Sequence, residues 1–255
     1  LMPGGKLDLG SPCSKASSTS TASSSSGGSS GGSSGGSSGG SSSSGGSSSS
    51  GGSSGSSSST SSSYKNSKAY KDCKKNAAKV VKKAGICEKE TAAERIVATA
   101  KLLAWPAGTS AKKYRYNEGS AKEEFKSAIN EVFKNRSHWN NQQLRDGASC
   151  LIFTSTVVRA SGVDKKYVSD TQQYKYKSNK FKRITCEKCN PYKKSKAGDV
   201  VLYWDKQWGG TGHALIRGKN VIYEAQLHGK TYGHTSSTSI IKKQKGIVVI
   251  LRPKD

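Results

Sequence analysis

Apolar positions recur at helical spacing through the first part of the chain beyond residue 63, and alternate at strand spacing through the rest. The stretch from about Ser67 to Lys83 is rich in lysine and alanine, carries Val80 and Val81, and is closed by Gly85, which predicts a helix. Thr91-Ala-Ala-Glu94 is a capping box. It opens a second helix on which Ile96, Val97, Ala100, Leu103 and Ala104 share a stripe, stopped by Pro106 and Gly108. Ser120 is a candidate cap for a third helix, with Phe125, Ile129, Val132 and Phe133 on one face. An apolar helix begins near Cys150 and ends at Ala160-Ser-Gly162; Val163 to Tyr176, with Tyr167, Gln172, Gln173 and Tyr174, is expected to form another short helix. The period then changes. Val200–Trp204, His213–Arg217, Val221–Ala225 and Ile247–Leu251 are expected strands, the middle two forming a hairpin. Helices first and antiparallel strands after them predict an α+β fold with the helices packed on the sheet.

Residues from about Ser14 to Ser63 break this pattern. They are almost wholly Ser and Gly and cannot bury apolar surface. The expectation is a disordered linker over 1–63, with a root-mean-square span of about 40 Å for its ~50-residue Ser/Gly tract. A lysine-rich helical lead-in over 64–90 and a main domain over 91–255 follow.

The net charge is +25, nearly all of it beyond residue 63. Such a field implies anionic surroundings or an anionic partner, or else a lysine-rich solvated surface. No apolar run is long enough to span a membrane. Leu1-Met2 is not followed by a basic-then-apolar signal peptide. No Walker loop, dinucleotide fingerprint or His-rich metal motif occurs, so neither cofactor nor metal is expected. Of the six cysteines, Cys186 and Cys189 form a C-x-x-C pair. Cys73 and Cys87 could complete a zinc set with them, could pair as a disulfide, or could stay reduced; the zinc-ribbon spacing is missing.

Cys150 stands apart from those thiols. Gly147-Ala-Ser149 precedes it, allowing close approach of a substrate backbone, and the helix dipole at its position favours thiolate. A first-turn amide there could serve an oxyanion. His213, on a strand, could take the thiol proton. The partner of His213 depends on the hairpin turn. A two-residue loop at Gly218-Lys219 places Glu224 directly opposite His213, whereas a loop at Lys219-Asn220 places Gln226 there. Glu224 is the first choice, Gln226 its rival and His228 a distant third. His138 and His234 are expected to be solvated loop histidines.

These residues carry a family resemblance. Gly147-Ala-Ser-Cys150-Leu-Ile-Phe, followed by Val-Val-Arg-Ala-Ser-Gly162, resembles the nucleophile helix of NlpC-type cell-wall cysteine peptidases. Ala197-Gly-Asp-Val-Val-Leu-Tyr203 is similar to that family's P-G-D-L strand. Gly212-His213-Ala-Leu-Ile with Val221-Ile-Tyr-Glu224-Ala225 is similar to its G-H-V hairpin. The resemblance runs from about Arg95 to Pro253, and the CHAP family is a related alternative. It departs at Ser149, where the family usually has Asp, and at Ala104-Trp105-Pro106, which replaces an upstream Y-x-W-G-G segment. The resemblance implies a papain-like fold and hydrolysis of peptidoglycan stem-peptide amides by Cys150, His213 and Glu224. Ser149, Trp105, Trp139, Trp208 and Gln226 are the candidate substrate contacts. The implied partners are peptidoglycan and anionic cell-wall polymers, bound by a monomer at the cell wall, outside the cell or released as a phage lysin. The alternatives are a non-catalytic cationic wall-binding module on a degenerate hydrolase fold and, on charge alone, a nucleic-acid-binding protein.

Overall fold

The computed structural model describes residues 62–204, 212–226, 231–242, 244 and 246–255. Helices α1 (Ser62–Asn66), α2 (Lys68–Asn76), α3 (Lys79–Lys83), α4 (Ala92–Leu103), α5 (Ala111–Tyr114), α6 (Glu123–Val132), α7 (Ser137–Arg145) and α8 (Cys150–Ala160) precede the sheet. Strands β1 (Phe181–Cys189), β2 (Val200–Trp204), β3 (Gly212–Arg217), β4 (Val221–Glu224), β5 (His234–Ser237) and β6 (Gly246–Pro253) follow, with α9 (Pro191–Lys194) and α10 (Ser239–Lys242) between them. The strands pair antiparallel in the order β1-β6-β2-β3-β4-β5. The fold is α+β, as the change of period predicts. No helix among the described residues is long and apolar enough to cross a membrane.

Helix α8 is the centre of the helical layer. Every one of its residues except Arg159 is buried, which is why its sequence carries no charged solvent-facing stripe, and its Thr154, Ser155 and Thr156 hydroxyls donate to backbone carbonyls. It packs on β3, α4 and α6. Ser149 caps it, accepting a hydrogen bond from the Ile152 N–H at 3.2 Å. Gly147, at φ 86°, makes the left-handed turn that delivers the chain to that cap. Inside, Gln173 donates to the Leu151 and Val168 carbonyls and accepts from the Thr154 and Tyr167 hydroxyls. A fully buried amide with its bonds satisfied fixes α8 without an unpaired polar cost.

The capping box at Thr91 and Glu94 forms as the sequence predicts. Three other expectations are corrected. The first helix breaks at Ala77 into α2 and α3. The third starts at Glu123, so Ser120 does not cap it. Val163–Tyr176 is not a helix, and only Thr171–Lys175 closes as a short 3₁₀ turn. Asp164 and Asp170 accept the backbone N–H two residues on, from Lys166 and Gln172, and these local bonds compete with helix.

The edge strand β1 is an addition to the expected set. Its exposed Lys182, Arg183, Thr185, Glu187 and Lys188 hide the strand period, and such charge protects an open edge from pairing with another chain. Cys186 and Cys189 lie on this strand, not in a loop, and are linked to each other. Cys73 and Cys87 are likewise a disulfide, so these four cysteines form two covalent pairs rather than a zinc set.

The lead-in over 64–90 packs into the main core through Cys73, Val81, Ile86 and Cys87. The Tyr64 hydroxyl donates to the Lys89 carbonyl at 2.6 Å and accepts from buried Arg95 at 2.7 Å, tying the lead-in to α4. The Cys73–Cys87 link closes a loop with a sequence separation of 14. Loops of that length are worth about 3 kcal/mol through restriction of the unfolded chain. The double substitution Cys73→Ser, Cys87→Ser is therefore expected to lower the urea midpoint by an amount equivalent to about 2–4 kcal/mol. An unchanged midpoint at equal slope would contradict this.

Candidate active site

Strands β3, β4 and β5 bring three titratable side chains together. The hairpin closes through a 2.9 Å bond from the Gly218 N–H to the Val221 carbonyl, so its loop is Lys219-Asn220. Ile216 then pairs with Tyr223 and Arg217 with Ile222. This is the rival turn, not the Gly218-Lys219 loop favoured above. The two registers differ by two residues, and a two-residue shift leaves every side chain on its original face. Glu224 thus remains on the His213 side and reaches it diagonally. His213 Nε2 and Glu224 Oε2 are 2.6 Å apart, and the carboxyl is fully buried.

Burial raises the cost of ionising Glu224, but the hydrogen bond and charge of His213 outweigh it, helped by Ser236 and His234. The carboxyl is held down at about 2. An ionised carboxylate can only accept. The bond therefore requires a proton on His213 Nε2, and neutral His213 keeps its lone pair on Nδ1. That is the tautomer a general base needs.

His234 is a correction to the sequence reading. It lies on β5, not in a solvated loop, pairs directly with Glu224 and is 7% exposed. Its ring stacks on Tyr114 at 4.4 Å between centroids, and its Nε2 lies 3.9 Å from Glu224 Oε1. The only sequence signal was a short polar alternation after Gly233. That glycine is required, because a Cβ there would sit 2.3 Å from the Phe153 ring of α8.

Cys150 is buried in the helical core at the first position of α8. It is disulfide-bonded in this structure, and its partner is not among the described residues. The start of α8 and the His213–Glu224 pair lie at the same end of the sheet. Gly147 approaches the Thr231 carbonyl, and the Tyr232 hydroxyl donates to the Leu144 carbonyl. Thr231 and Gln226 in turn exchange two 2.9 Å bonds just past β4. The two halves belong to different faces, however. Ala214 and Ile216 pack in the cluster with α8, whereas His213 pairs with Tyr203, whose cluster lies on the other face with Leu215 and Ile222. Cys150, at the start of α8, and His213, at the start of β3, therefore lie on opposite faces of the sheet.

Ser149 serves as the helix cap. Trp105 bridges His234 through backbone pairing and donates from its indole to the Ser120 carbonyl at 2.9 Å. Trp139 packs edge-on against Phe133 with Arg136 over its ring, on the α6–α7 corner. His138 is exposed, as expected, but it lies on α7 rather than in a loop. Trp208 and His228 lie outside the described residues. No family model, curated protein or solved structure matches the chain.

The Glu224 shift makes a prediction. Its folded value of about 2 lies below the ordinary value of about 4.3. The stability it contributes is complete above the ordinary value and is lost as pH falls toward 2. Urea midpoints measured from neutral pH down to about pH 2 are expected to fall steeply below pH 5 in the wild type. Glu224→Gln should start lower and decline less over the same window; parallel curves would contradict this.

Proposed function

We propose that the chain is a thiol-dependent hydrolase that cleaves stem-peptide amides of peptidoglycan. The observation that carries this reading is the buried, ionised Glu224 holding His213 in the base tautomer, at the sheet end where α8 begins with Cys150. The resemblance of these segments to the NlpC-type pattern supplies the substrate class. The reading requires the reduced form of Cys150, so a reductant of the dithiol class is part of the assay.

In the reduced protein the Cys150 thiol gives its proton to His213 Nδ1. The thiolate adds to the scissile carbonyl carbon. As the tetrahedral adduct collapses, the C–N bond breaks and His213 returns the proton to the departing amine. Water, deprotonated by His213, then adds to the thioester carbonyl. Loss of the Cys150 thiolate releases the acid. Throughout, Glu224 keeps the imidazole oriented and stabilises its charged form. The +25 charge would concentrate the protein on anionic wall polymers. A second reading is a non-catalytic cationic wall-binding module, and the disulfide at Cys150 is the observation that favours it.

Digestion of purified peptidoglycan, with fragments identified by mass, separates the two. The reduced wild type is expected to release fragments cut at one kind of amide. Cys150→Ala should fall by at least about a thousandfold, as removal of a nucleophile does. Equal release by both proteins, or none from either across several wall chemotypes, would refute the hydrolase reading.

A further inference from the structure

The end of α8 opposite Cys150 opens onto two cavities of about 390 Å³ each. Asn76 and Lys165 line both, so the two adjoin as one groove between α2, the end of α6 and the segments that follow α8. Besides Lys180, the cations that line it are Lys75, Lys134, Arg159, Lys165, Lys166 and Lys177. None of these six is in an ion pair among the described residues. The acids of the groove are already engaged. Asp164 accepts from the Tyr176 and Ser178 hydroxyls at 2.7 and 2.9 Å and from the Lys166 N–H at 3.0 Å. Glu131 accepts from the Lys79 N–H at 2.8 Å, and Asp72 is held between Lys68 and Lys180. Arg159 alone of the six is half-buried. Its Nε donates to the Tyr167 carbonyl at 2.6 Å and its guanidinium lies over the Phe133 ring, but its terminal nitrogens have no hydrogen-bond partner among the described residues. Burial, and then the charge of Arg136, disfavour its charged form, and Asp164 offsets only part of this.

We infer that this groove is an exosite for a linear phosphodiester polymer of the cell wall, a polyol phosphate, bound through Arg159, Lys165 and Lys177. Unpaired cations along two adjoining cavities suit a chain of regularly spaced negative charges better than a single ion. The planar fork of Arg159 matches two oxygens of one phosphate, and the exposed lysines serve as mobile point charges for its neighbours. The groove is poor in what a single-stranded nucleic acid needs, which is exposed aromatic rings interleaved with the cations. Tyr176 is the one aromatic ring that lines it, and that ring packs edge-on against Tyr167 with its hydroxyl held by Asp164. Arg159 lies nine residues along α8 from Cys150, roughly 14 Å at the helical rise. A polymer in the groove therefore leaves the start of α8 uncovered while it holds the domain on the wall. The choice of a wall polymer rests on the wall-directed reading above; the unpaired cations do not.

Two measurements on the full chain test the inference. The first is binding to purified poly(glycerol phosphate), free of peptidoglycan, at ~0.1 M salt. The double substitution Lys165→Glu, Lys177→Glu is expected to weaken binding at least about tenfold. Lys101→Glu, Lys193→Glu makes the same change in net charge at exposed positions outside the groove, and should weaken it by less than about twofold. Equal weakening by the two pairs would assign binding to the overall field and overturn the inference. Single-stranded DNA that binds more tightly than the polymer, and is lost in the groove variant, would reassign the groove to nucleic acid and overturn it too. The second measurement needs no variant. Lysine acetylation of the wild type, followed by peptide mass, is expected to slow at Lys165, Lys166 and Lys177 when the polymer is added, and to stay unchanged at Lys101 and Lys193. Unchanged rates at the groove lysines overturn the inference. Polymer binding in the groove without digestion of peptidoglycan supports the inference while the hydrolase reading fails; digestion without polymer binding does the reverse.

Discussion

A carboxylate with no exposure to water sits between two histidines, and the arrangement of β3, β4 and β5 follows from what that group needs. Glu224 is ionised despite burial because His213 donates to it at 2.6 Å. Burying a charge is tolerated only where such partners are fixed in place. The pairing of Glu224 with His234 and the diagonal approach of His213 are therefore constraints on strand register as much as features of a site. A one-residue slip of β4 would leave the carboxylate facing the helical layer and its apolar core.

The scaffold holds this cluster from several directions. The segment around Trp105 and Tyr114 runs beside the outer edge of β5, exchanging backbone bonds with Tyr232, Gly233 and Thr235. On the helical side, Gly233 lets Phe153 press against the sheet, so the start of α8 settles at the same end as the histidines. At the base of β2, Arg252 of β6 makes two hydrogen bonds to the buried Asp199 carboxylate, and the Lys196 N–H adds a third. That explains the Gly-Asp turn leading into the strand.

Where the sequence carried a local code, the elements were legible. The Thr91–Glu94 box, the apolar ends of α8 and the short apolar runs of β2, β3, β4 and β6 each announce themselves. The Cys73–Cys87 bond was one of three open possibilities. The hairpin shows the limit of such reasoning. The turn was misassigned, yet the partner of His213 held, because the error preserved side-chain parity. Charged edge strand β1 and short polar β5 lack an apolar period, so their pairing partners, not their own residues, define them. His234 was missed for that reason. Its burial is set by Tyr114 and Trp105, which lie far away in sequence, and by Glu224 on the neighbouring strand. The face occupied by Cys150 relative to His213 was also beyond the sequence, since it depends on which layer α8 joins.

That relation between Cys150 and His213 is the central claim of the account, and alkylation reads it directly. The reduced, folded protein would be treated with iodoacetamide at mildly acidic pH, and modification of Cys150 followed by peptide mass. Activation by His213 predicts rapid alkylation in the wild type and a rate at least tenfold lower in His213→Ala, because fewer thiolates survive without the imidazole. Equal rates in the two proteins, or a Cys150 that reacts only after denaturation, would contradict the account.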